Sequence, residues 1–121
     1  MWIFTTSGFV AAAEDPADSG AVLVSAVDRR SLEYMLGAVE LAGNAEGRDL
    51  EPLEVQAGAD GYPWRVRMPR GTFTLWLGFE ALNFVTYREP FPVAVGQERG
   101  QEWQSMVEAI RDRLGDVGDV P

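Results

Sequence analysis

A chain without one cysteine must be held together by its apolar core, because neither a disulfide nor a thiolate-bound metal can staple it. Its 121 residues suffice for that, since a domain of this size buries roughly two-thirds of the surface its unfolded chain exposes. One domain is expected over residues 1–115, with a flexible acidic tail at 116–121. Histidine is absent as well, which removes the commonest general base and the commonest transition-metal ligand. Any chemistry would have to run on carboxylates, arginines, hydroxyls, tyrosines or the backbone. The nucleophile-elbow, dinucleotide and P-loop patterns are missing. Glu14, Asp15 and Asp18 lack the ligand spacing of a calcium loop. No catalytic residue, metal or cofactor is therefore expected.

Charge narrows the partners. Acids outnumber bases 19 to 10, giving a net charge of −9, and every base is arginine. Duplex nucleic acid is not an expected direct partner, since its phosphates would be repelled within a Debye length. No stretch approaches the roughly 20 apolar residues of a membrane span. The apolar run Trp2–Ala13 lacks a positive leader and is broken by Thr5, Thr6, Ser7 and Gly8, so it reads as a strand and not as a signal peptide. The expected location is the cytoplasm.

The patterning then lays out the elements. Residues 2–13 read as one strand bent at Gly8. Residues 14–20 carry Pro, Gly and acids and read as a loop, and Ala21–Val27 as a second strand pairing antiparallel with the first. Ser31 is expected to cap a helix running to Ala42 and stopped by Gly43-Asn44, with Leu32, Met35, Leu36 and Val39 on one face. A short strand is expected near Leu53–Gln56, and a third main strand at Trp64–Met68 with Trp64, Val66 and Met68 on its buried side. Residues 71–84 fit both a strand and a helix, and their length favours the helix. A fourth strand is expected over Phe84–Arg88. In Gln97–Leu114, Trp103, Met106, Val107, Ile110 and Leu114 trace an apolar helical stripe that places Trp103, like Trp76, in the core.

The best candidate site lies on the third strand. Arg65 and Arg67 project from one face, with Arg70 just beyond, so the three could grip a carboxylate or phosphate. The competing reading pairs them with Glu14, Asp18 or the acids of the long loop as ordinary surface ion pairs. Tyr62 is the aromatic residue expected at the surface, and Tyr87 completes the candidate set.

The opening Met1-Trp2-Ile3-Phe4-Thr5-Thr6-Ser7-Gly8-Phe9-Val10, together with Tyr62-Pro63-Trp64-Arg65 and Trp103, resembles a widespread family of short uncharacterised bacterial (mainly actinobacterial) and phage proteins. Members of that family usually carry an Asp-Tyr and an Asn-Phe-Lys before the last helix. Here Thr86-Tyr87 and Phe91-Pro92 stand in the comparable stretch, without the acid or the lysine. The resemblance brings no activity with it.

These readings together predict an α+β fold of two layers: a small, mostly antiparallel sheet of three or four strands with two or three helices on one face. The order β-β-α-β-α-(β)-α admits a ferredoxin-like arrangement. The function expected first is non-enzymatic binding or regulation through a protein partner or self-association, with a small anionic ligand as another candidate. Its alternatives are a phage-type acidic mimic of nucleic acid and a small enzyme working with arginines and carboxylates.

Overall fold

The computed structural model describes residues 1–59, 61–86 and 90–118, with the backbone alone for 83–86. The strands are β1 (Trp2–Phe4), β2 (Phe9–Asp15), β3 (Asp18–Ala26), β4 (Gln56–Ala57) and β5 (Trp64–Pro69). The helices are α1 (Arg29–Ala45), α2 (Arg70–Thr86), α3 (Phe91–Arg99) and α4 (Gln101–Gly118). The sheet has five strands in the order β1-β2-β3-β5-β4, every neighbouring pair antiparallel. The α+β class stands. The strand and helix numbers exceed those expected, and three consecutive strands without an intervening helix depart from the ferredoxin-like order.

The expected single strand over 2–13 is a hairpin instead. Thr5 folds the chain back: its amide and hydroxyl both donate to the Gly8 carbonyl at 2.9 Å, while its Oγ1 accepts from the Ser7 and Gly8 amides. Local hydroxyl bonds of this kind compete with a strand ladder. Gly8 must be glycine because a Cβ there would lie 2.3 Å from Ser31 Oγ and 2.8 Å from Ser31 Cα. The loop expected at 14–20 shrinks to Pro16-Ala17 between β2 and β3, with the Ala17 amide donating to Asp15 Oδ1.

Asp28, not Ser31, caps α1, accepting from the Ser31 amide at 3.2 Å and the Ser31 hydroxyl at 2.6 Å. The helix therefore starts before Ser31 and buries that side chain. Gly43 is no stop: it lies inside α1 and leaves room for Leu50, whose Cδ1 would be 2.7 Å from a Cβ. The strand expected near Leu53–Gln56 reduces to β4, paired with Arg65 and Trp64. The helix favoured for 71–84 is α2 and takes in residues 84–86, so no strand starts at Phe84; residues 87–89 lie outside the described residues. The helix expected over 97–114 is broken at Gly100, whose φ of 98° ends α3 before α4 begins. Pro92 is the second residue of α3, where its missing N–H costs nothing.

The core lies between one sheet face and the first two helices. Val10, Ala12, Val22, Val24, Ala26, Val66 and Met68 meet Leu32, Met35 and Val39 of α1 and Trp76 of α2. As expected, Val66 and Met68 are fully buried, and Trp64 packs against them. Helix α4 is on the other side: the Trp103 ring lies 5.1 Å from that of Phe9, tilted by 57°, and the Phe9 side chain faces away from the core. The described helices are thus not all on one face.

Candidate functional site

Alternation along the strands sends every second side chain to the sheet's outer face. The register aligns Trp2, Ala11, Ser25, Arg65 and Gln56 in one row across all five strands, with Ala13, Leu23 and Arg67 in the next. Beside the groove, β2 and β3 contribute the small residues Ala11, Ala13 and Ser25 to this face. At the β1–β2 end it rises into an aromatic wall, where the Trp2 and Phe4 rings lie 6.1 Å apart and those of Phe4 and Phe9 4.5 Å apart. Trp103, Met106 and Ile110 of α4 form the opposing wall. The groove between the walls has a volume of about 340 Å³, reaches Ala11 and is lined also by Val27 and Tyr62. Trp2 and Val27 are each 69% exposed and Met106 40%. The apolar stripe of α4 continues past the groove through exposed Leu114 and Val117.

The expected site residues separate. Arg67 donates from Nε to Asp15 and from Nη2 to Asp18, both at 2.8 Å. The Asp15 carboxyl is held below its usual range, first by the Ala17 amide and then by Arg67. Arg70 donates to Glu14 at 2.9 Å and twice to the Ser19 carbonyl. These two arginines thus clasp the β2–β3 hairpin as half-exposed ion pairs, which contribute little individually. Arg65 shares the face with Arg67 but has no ion pair among the described residues, and its Nε is buried without a hydrogen-bond partner. A donor in that state costs roughly 1–3 kcal/mol until something accepts from it. Tyr62 lines the groove, Trp103 is a groove wall instead of core, and Tyr87 lies outside the described residues.

A second polar centre escapes a reading by strand or helix alone. Arg99, whose side chain is 5% exposed, donates to Asp28 at 2.7 Å and to the Ser7 carbonyl at 2.6 Å, and lies 3.7 Å over the Trp103 ring. Burial pushes the Asp28 carboxyl up, but bonds from Ser31 and Arg99 outweigh it and hold the group below its usual range. This clamp ties the end of α3 to the start of α1 and to the β1–β2 turn. Nearby, Ser7 and Thr6 donate to Glu98, and burial, helped by Glu98, raises the Glu80 carboxyl. The Asp28-x-x-Ser31 spacing signals the cap in the sequence; nothing local signals Arg99. Among the described residues, no three acidic, His or Cys side chains gather as a metal centre requires. Nor is any helix there long and apolar enough to cross a membrane.

Comparison of the chain with protein-family models, curated proteins and solved structures gives no match.

Proposed function

We propose that this chain is a non-enzymatic cytoplasmic binding protein that receives a protein partner on the outer face of its sheet. The observation that supports the reading is the groove between the β1–β2 aromatic wall and α4, which leaves large apolar side chains in water on one contiguous surface. Tyr62, which opens the Tyr62-Pro63-Trp64-Arg65 segment of the family resemblance, lines the same groove. Charge distribution favours this over mimicry of nucleic acid. Exposed acids stand on α1 (Glu40), on the segment after it (Glu46, Asp49, Glu51, Glu54) and on α4 across the sheet (Glu102, Asp116), so they are scattered instead of forming one contiguous surface. An enzyme built on arginines and carboxylates requires a pocket where Arg65 and Arg67 meet an acid or Tyr87, whereas Arg67 is half exposed in its ion pair with Asp15. The test is co-purification from host lysate with wild type, Met106→Glu and Trp2→Glu. A specific partner should be retained by wild type and lost from both variants at unchanged melting temperature; retention by both would reject this surface.

A further inference from the structure

We infer that the segment docking on this face is apolar and acidic: an aliphatic or aromatic side chain fills the groove, and a carboxylate two or three residues away binds Arg65. The inference rests on the docking surface proposed above and specifies the chemistry of its occupant.

Charge complementarity carries the argument. Arg29, Arg67, Arg70, Arg99 and Arg111 each hold a carboxylate; of the other described arginines, Arg30, Arg48, Arg65 and Arg113, which hold none, Arg65 alone has a buried Nε without an acceptor. Asp15, close enough to feel the Arg65 charge, is already engaged by Arg67. Arg65 stands in the same cross-strand row as Ala11, the small residue the groove reaches, with only Ser25 between them. Two strand spacings separate Ala11 from Arg65, about 10 Å. An extended chain rises about 3.3 Å per residue, so an apolar anchor and an acid three residues apart cover about 10 Å, and two apart about 7 Å with the side chains reaching the rest. Such a carboxylate would pair with the guanidinium of Arg65, a partly buried side chain whose Nε is itself covered, in a charge-assisted bond. A basic segment would meet an uncompensated guanidinium there instead.

The experiment is selection from a displayed random dodecapeptide library, run in parallel on wild type and on Arg65→Glu. Wild type should enrich peptides with Leu, Met, Phe or Trp two or three residues from Asp or Glu, and Arg65→Glu should enrich the same anchor with Lys or Arg. For a selected acidic peptide, Arg65→Ala should weaken binding roughly 10- to 100-fold. Arg67→Ala, whose charge is spent on the hairpin, should change it less than about twofold. Apolar peptides with no acid preference, or the same peptides from both proteins, would overturn the inference while leaving the docking surface standing. No enriched peptide from a folded wild type would overturn both.

Discussion

The two faces of one sheet meet different fates. On the inner face, Val24 and Val66 oppose each other with no exposure and are sealed by α1 and α2. On the outer face, the neighbouring residues of the same strands are Ser25 and Arg65, and the large apolar groups gather at one end beside α4 without being sealed. The inner face shows what these strands need in order to fold, and the outer face what they present beyond that need. Substitutions should therefore separate stability from binding according to face.

The largest contrast is between two tryptophans. Trp76→Ala should cost roughly 3–5 kcal/mol in urea unfolding, because its side chain is 2% exposed. Trp2→Ala should stay within about 0.5 kcal/mol, because it is 69% exposed. Equal costs would dissolve the distinction between the faces.

Next come two arginines. Arg99→Ala removes a buried cation and strands part of the Asp28 cap, so a loss of roughly 2–4 kcal/mol is expected, with Arg67→Ala on the outer face below about 1 kcal/mol. The Asp28 contribution has a defined sign with pH. Its carboxyl titrates below the usual range in the fold, so its stabilisation is present above the unfolded value of about 3.9 and is lost as pH falls through the lower folded value. Arg99→Ala should flatten that acid limb in melts recorded across pH.

Two glycines sharpen the packing side. Gly8→Ala should destabilise by about 1–3 kcal/mol, since the added methyl meets the Ser31 backbone. Gly43→Ala meets the Leu50 side chain at Cδ1 and Cγ, with no backbone atom closer than 3.5 Å, and gains helix propensity, so it should cost less than Gly8→Ala in the same denaturation assay. Smallest is Glu80→Gln. The folded carboxyl titrates above its usual range, so the ionised form weakens the fold once pH passes the ordinary carboxylate value. The variant should melt slightly higher than wild type at neutral pH and equal to it in acid.

Much of this was legible in the residues and some could not be. The alternation of Trp64, Val66 and Met68 marks the buried side of β5, and the length of the apolar run at 71–84 marks a helix. The two glycines near helix ends are indistinguishable by sequence: Gly43 makes room for Leu50, while Gly100 adopts the positive φ that ends α3. Trp103 fits a core stripe, but whether a stripe is sealed depends on what packs against it, which periodicity does not encode. Arg99 and Asp28 are 71 residues apart, so no local pattern joins them. For the candidate site, strand periodicity places Arg65 and Arg67 on one face, but only the tertiary structure shows Asp15 and Asp18 occupying Arg67 and the groove reaching Ala11 in the row of Arg65.

The central claim is that the outer-face groove binds while contributing little to the fold. Its most direct test is the affinity of a selected acidic peptide for wild type and Met106→Glu, with urea unfolding of both proteins. The account predicts at least a roughly tenfold loss of affinity with stability unchanged within about 0.5 kcal/mol. Undiminished affinity with a carboxylate placed in the groove wall would contradict it.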